Sequence, residues 1–234
     1  MKILSLLFAF VLCSFCSIAQ NNNFIIEKTA VTYQTDLDQF IFEITVKGEA
    51  GATTPTPAGK LDGAPVDGYV FPTTLQPEQV GFGNVEGIVA LALTSHPDFD
   101  DTPLWDENKD AIYDNDGIVW HPHWVVLVKD DRVKGGLSVK QFQKDDDTVV
   151  LPPTNPGMPM YMDSPGYPVI TKAKVIKVIV PGYRIRGDQN FKFDGVAAYM
   201  QVNTSKADLP MLGVYSVYSV ASGDLSLPYT VKNK

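Results

Sequence analysis

Past residue 16 the chain contains no cysteine. That excludes disulfides and thiolate metal sites from the body of the protein. Stability has to come from a buried core, and 234 residues are enough to build a sizeable one. Positive charge is also short: 19 Lys and Arg stand against 27 Asp and Glu, a net charge of −8. A basic face for nucleic acid is therefore not available, and nucleic acid is excluded as a partner. Beyond the N-terminus there is no apolar run long enough for a transmembrane segment. Nor does any stretch carry the 3.6-residue periodicity of an amphipathic helix, so the chain has to fold mainly from strands. Histidine is scarcest of all, with three copies.

Residues 1–19 hold Lys2, an apolar run from Ile3 to Leu12, and small residues Ser17 and Ala19 placed for cleavage. This pattern predicts a signal peptide removed on export, with Cys13 and Cys16 inside it. The destination would be periplasmic, cell-surface or extracellular. Residues 20–234 are then expected to form a single domain. Phe40, Phe42, Ile44 and Val46 alternate with Ile41, Glu43, Thr45 and Lys47, the period-two signature of a half-buried strand. Further strands are expected over 24–33, 118–129, 137–142, 169–180, 191–202, 212–221 and 225–231. The unbroken apolar run over 87–94 predicts a strand buried on both faces. A slip in alternation near Val175, Ile176 and Lys177 predicts a β-bulge. Residues 48–68, rich in Gly, Pro, Ala and Thr, read as a long loop. The expected fold is an all-β antiparallel β-sandwich of eight to ten strands with a long acidic metal-binding loop.

The chemistry concentrates in residues 95–124. All three histidines (His96, His121, His123) and all three tryptophans (Trp105, Trp120, Trp124) lie there. Two histidines two apart on a strand share a face, so His121 and His123 can converge on one ion while Trp120 and Trp124 anchor the opposite face. His96, ending the preceding strand, can supply a third nitrogen if the two strands are neighbours. Three imidazoles suit zinc or copper, and a carboxylate such as Asp98 can complete the shell. The pair plus a third histidine is similar to the zinc site of carbonic anhydrases, although there the third histidine follows the pair. Met158, Met160 and Met162 alternate in a proline-rich stretch and offer soft sulfur ligands for copper or, more simply, packing.

Between the histidines Asp98, Asp100, Asp101, Asp106, Glu107, Asp110, Asp114 and Asp116 face one basic residue, Lys109. Such a loop repels itself unless a cation relieves it. Residues 106–114 resemble the D-x-N-x-D calcium loop of EF-hands and dockerins. The resemblance implies calcium held by Asp106, Asn108 and Asp110, by the Ile112 carbonyl, and by Asp114 directly or through water. Ala111 stands where the family has its turn glycine. Gly117 stands where it has a bidentate glutamate, with Asp116 near enough to substitute.

These features predict an exported metal-binding protein, with calcium in the acidic loop and copper or zinc at the histidines, acting by binding rather than catalysis. Two alternatives stay open: a metalloenzyme of hydrolase or lyase type whose three-histidine site keeps a position for water, and a calcium-stabilised adhesion or matrix module. Metal ions are the expected partners. The tripeptide Arg186-Gly187-Asp188 and the sequon at Asn203 occur readily by chance and carry no assignment.

Overall fold

The computed structural model describes residues 21–102, 106, 109–112 and 115–234. The leader expected at 1–19, and Asn108 and Asp114 of the acidic loop, lie outside the described residues. The strands in chain order are β1 (Ile26–Gln34), β2 (Gln39–Val46), β3 (Pro65–Pro72), β4 (Ile88–Ser95), β5 (His121–Lys129), β6 (Leu137–Val139) and β7 (Met162–Asp163). They continue with β8 (Val169–Lys172), β9 (Val175–Pro181), β10 (Lys192–Phe193), β11 (Val196–Val202), β12 (Leu212–Val220), β13 (Tyr229–Thr230) and β14 (Lys232–Asn233). Among the described residues the only helices are short 3-10 turns, and none is long and apolar enough to cross a membrane.

The all-β expectation holds, and the long sheets are antiparallel, but the closing element is not the expected sandwich. The order β4-β3-β11-β12-β6-β5 returns on itself because β4 also pairs with β5, from Ile88 opposite Leu127 to Thr94 opposite His121. The result is a closed six-stranded barrel. Closure removes both sheet edges, which an open sandwich would leave exposed. A second sheet, ordered β14-β1-β2-β9-β8, lies against the barrel's outer wall. Its β1–β14 pair is parallel.

Alternation sorts the side chains. On β2 the predicted face of Phe40, Phe42, Ile44 and Val46 is fully buried. It packs on Phe71, Leu91 and Trp124 of the barrel wall. Phe42 meets Phe71 edge-on at 5.3 Å and Trp124 at 6.2 Å between ring centres, the geometry aromatic quadrupoles favour. The other face of the same wall turns Val70, Ala90, Ala92, Val125, Ala198 and Met200 into the barrel lumen. Strand β4 is thus buried on both faces, as its apolar run predicts.

Three local expectations are corrected. The end of the loop expected over 48–68 belongs to β3, which runs to Pro72 and is buried at every position. Its Pro65, Asp67 and Gly68 break the apolar pattern. Pro65 is tolerated because it opens the strand, where a missing N–H costs least. At Gly68 a Cβ would sit 2.6 Å from Met200 Cε, so a larger residue there would push aside the end of that side chain. The bulge expected near 175–177 is instead a hairpin: β8 turns into β9 at Ala173 (φ 51°), with Lys172 opposite Val175. In the strand expected over 225–231, Leu225 and Leu227 take left-handed φ values of 59° and 52°, leaving only Tyr229–Thr230 as β13.

Asp67 points from β3 into the space between barrel and second sheet, where the Tyr218 hydroxyl donates to it at 3.1 Å. Burial pushes its carboxyl up to about 6, against the opposing Tyr218 hydrogen bond. Because the folded value lies above the unfolded one, the fold favours neutral Asp67. That contribution is complete below about pH 4 and is lost as pH rises through 6. Asp67→Asn is therefore expected to melt roughly 2–4 °C above the parent at pH 8 and no higher at pH 4, as read by circular dichroism.

Candidate metal centre

The β4–β5 ladder builds the centre. His121 sits opposite Thr94 and His123 opposite Ala92, and both project to the lumen side. Trp120 and Trp124 project outward: Trp120 Nε1 donates to the Gly51 carbonyl at 2.9 Å, and Trp124 packs in the inter-sheet core. His96 follows β4 directly, and its N–H donates to the Gly117 carbonyl at 2.8 Å, which extends the ladder by one step. The sequence-predicted trio therefore meets at one end of the barrel.

The fourth member is Asp101, which the residue pattern did not single out. Its Oδ1 lies 3.1 Å from His121 Nε2, 3.2 Å from His96 Nε2 and 3.4 Å from His123 Nε2. His96 Nε2 and His121 Nε2 are 2.9 Å apart. All four donor atoms lie within 4.8 Å of one another. For four ligands at about 2.0–2.1 Å from a tetrahedral ion, neighbouring donors stand about 3.3 Å apart, and the four closest separations fall near that value. The cluster is dry: side-chain exposure is 2% for His96, 4% for His121, 3% for His123 and 6% for Asp101.

The remaining ring nitrogens fix which atoms face inward. His96 Nδ1 meets the Phe99 carbonyl at 2.8 Å, and His121 Nδ1 meets the Val119 carbonyl at 2.5 Å. A carbonyl oxygen only accepts, so both Nδ1 atoms carry a proton and the Nε2 of each ring faces the centre, where it can donate to Asp101 or offer a lone pair to an ion. His123 Nδ1 lies 2.9 Å from Ser164 Oγ, just past β7. His123 Nε2 is buried and has no hydrogen-bond partner. A buried ring nitrogen without a hydrogen bond, beside two further ring nitrogens and a carboxylate, is costly to leave unpaired, and a cation among them would relieve it. The residues thus fit a metal ion by count, element and spacing.

Burial opposes charge on Asp101, but His123 and His96, with hydrogen bonds from His121 and His96, hold its carboxyl well below the usual carboxylate range. Burial pushes the His123 imidazole down to about 3. It also acts to lower His121, where the hydrogen bond with Asp101 outweighs it and leaves the value raised.

The other described residues predicted as ligands do not reach this centre. Both Asp98 oxygens accept backbone N–H groups, from Ala58 at 2.9 Å and Gly59 at 2.6 Å, so Asp98 pins the 48–64 loop instead of completing the shell. Asp106 accepts from the N–H groups of Asp110 and Ala111, and Asp110 accepts from Ile112 N–H and the Asn115 amide. Asp116 is buried in a 3-10 turn, and the Ile112 side chain is exposed. Among the described residues no second group of three His, Asp or Glu donors converges. Ala111 does take φ 65°, the left-handed conformation that the calcium-loop resemblance requires of its position. Met158, Met160 and Met162 line a void of about 20 Å³ together with His96, Asp101 and His123. They pack against the centre.

Asp101 follows a turn-back at Phe99 that the fold shows and the residue pattern does not. Phe99 stacks flat on the His96 ring, with centres 3.9 Å apart and planes 5° apart, while its carbonyl takes the His96 proton. An aromatic three residues after the ligand folds the chain back, and the next residues then reach the ion. Comparison of the chain with protein-family models, curated proteins and solved structures finds no match.

Gly117 is the tightest fit at the centre. A Cβ there would strike the Phe99 carbonyl and come within 2.7 Å of His96 Nδ1. That close approach also explains why no glutamate stands at this position of the loop. Gly117→Ala is expected to displace the His96 ring and weaken metal binding at least about tenfold, more than 1.4 kcal/mol, while the barrel stays folded. Titration alongside circular dichroism checks both halves.

Proposed function

We propose that this chain is an exported metal-binding protein whose barrel holds one zinc ion at His96, Asp101, His121 and His123. The observation that carries this reading is the set of four buried donors within 4.8 Å of one another, with separations of 2.9, 3.1, 3.2 and 3.4 Å among them. Three imidazole nitrogens and one carboxylate oxygen in a tetrahedron match zinc, whereas copper(II) favours a tetragonal arrangement and copper(I) favours softer ligands. The fourth corner, which a catalytic zinc leaves to water, is taken by Asp101. This supports tight holding of the ion, for stability or sequestration, over hydrolytic chemistry. Export rests on the leader-like sequence of residues 1–19.

Protein made without an affinity tag and stripped by chelator should take up one equivalent of zinc at pH 7.5 by calorimetry. His96→Ala, His121→Ala, His123→Ala and Asp101→Ala should each lose that tight equivalent. Zinc at a thousandfold excess over its Kd should add about 4 kcal/mol of stability, or about 10 °C in Tm for a domain this size. Weak, non-saturating binding shared by the parent and all four variants would sink the reading. Nitrogen and oxygen sites bind copper(II) more tightly than zinc whatever their native ion, so elemental analysis of protein isolated without chelator assigns the metal, and copper in place of zinc there would reassign the ion.

A second reading concerns calcium in the acidic loop, and the left-handed backbone at Ala111 supports it. The Asp106 and Asp110 carboxylates curl back onto loop amides, as a loop wrapped for a cation does. Calcium should then raise Tm by a few degrees in a zinc-loaded sample, and Asp106→Ala combined with Asp110→Ala should abolish the rise. An unchanged calcium response in the double variant would place calcium elsewhere.

A further inference from the structure

The barrel lumen below the metal centre is not filled. A cavity of about 110 Å³ lies there, walled by Val70, Ala92, Val125, Ala198 and Met200 and their neighbours, with no charged side chain among the lining residues. Its cause is in the sequence: inward positions that could carry leucine or isoleucine carry Ala92 on β4 and Ala198 on β11. Only two of the lining side chains are polar, Thr94 and His123, and both are engaged. Thr94 Oγ1 lies 3.4 Å from His121 Nε2, and His123 Nδ1 lies 2.9 Å from Ser164 Oγ. Water needs two to four polar partners to occupy a cavity, and apolar cavities of comparable size stay dry and take up small apolar molecules.

The far end of the lumen has a built mouth. Val217, 45% exposed, and Leu225 both line it. Leu225 holds a left-handed φ of 59°, fixed by its N–H donating to Ser222 Oγ at 3.0 Å. A side chain with a Cβ disfavours that conformation, and here it turns an apolar side chain onto an apolar opening.

We propose that the lumen is a binding site for a small, neutral, apolar molecule of about the size of benzene, entering past Leu225 and Val217 and ending against His123. The site is distinct from the metal centre and shares His123 with it as a wall. Neutrality follows from the lining, which offers no counter-charge, and size follows from the volume.

The full chain, zinc-loaded and labelled with 13C at the methionine methyls, provides the test, with benzene dissolved in buffer as the probe. Met162 and Met200 line the lumen, while Met211 does not line it and instead packs on the back of the lumen cluster beside Arg132 and Gln141. The Met162 and Met200 methyls should shift saturably and the Met211 methyl should not. Ala92→Leu and Ala198→Leu, which fill the space, should each weaken the response at least tenfold while zinc stays at one equivalent. The proposal is overturned if the parent shows no shift up to benzene saturation, if Met211 shifts as much as Met162, or if both filled variants respond like the parent. Should a filled variant fail to fold, the contrast between Met162 and Met211 in the parent decides. Zinc stoichiometry is read separately by elemental analysis, so failure of the lumen proposal and failure of the zinc reading remain distinct.

Discussion

The pairing of β4 with β5 is the constraint on which the rest of the structure depends. It closes the barrel and removes two free sheet edges. It also sets Thr94 opposite His121 and Ala92 opposite His123, so the same register that completes the hydrogen-bond ladder delivers three imidazoles to one end. A slip of one residue would exchange the two faces of β5. His121 and His123 would then enter the apolar layer under Phe42, and Trp124 would enter a lumen too narrow for it. Fold and site are therefore specified by one register, and the apolar burial of Trp124 and Leu91 holds the polar cluster in place.

The sequence made the strands legible wherever one face is buried and the other is not. β2 reads directly from Phe40, Phe42, Ile44 and Val46, and β4 from its apolar run, because those patterns follow from local backbone geometry. β3 was hidden because Asp67 and Gly68 serve non-local needs: a hydrogen bond from Tyr218 and space for Met200. Barrel closure was hidden for the same reason, since it joins residues 88–94 to 121–127 across the acidic loop. In the site, the three histidines could be grouped because they are rare and their spacing has a strand meaning. Asp101 could not be chosen among eight neighbouring acids, since what selects it is the stacking of Phe99 on His96. Asp98 looked equally suitable and proved to be a clamp on the 48–64 loop.

A closed six-stranded barrel has a narrow interior, normally filled by its own side chains. Here the inward positions are graded. Methionines crowd the end near the metal, with Met160 and Met162 almost fully buried, while alanines leave room further down. A flexible thioether adapts to an irregular wall better than a branched side chain, which suits it to surround a cluster that could hold an ion. The cavity and the metal centre are thus consequences of one packing scheme rather than two separate defects in a core.

The acidic loop is tethered to this centre at both ends. Asp101 contributes a donor atom at its start, and at its finish the Gly117 carbonyl accepts the His96 N–H while Val119 accepts the His121 ring proton. Bringing those two ends together has an entropic cost that grows only slowly with the length between them, so a long insertion here is tolerated once the ends are fixed. An ion held at the four donors would fix them, because it would draw Asp101 to the imidazoles that stand beside Gly117. Relief of the mutual repulsion among the loop's carboxylates, whether by salt or by a bound cation, lowers the cost of bringing Asp101 inward. Electrostatics in the loop and affinity at the buried centre are in this way coupled through Asp101, the single side chain that belongs to both.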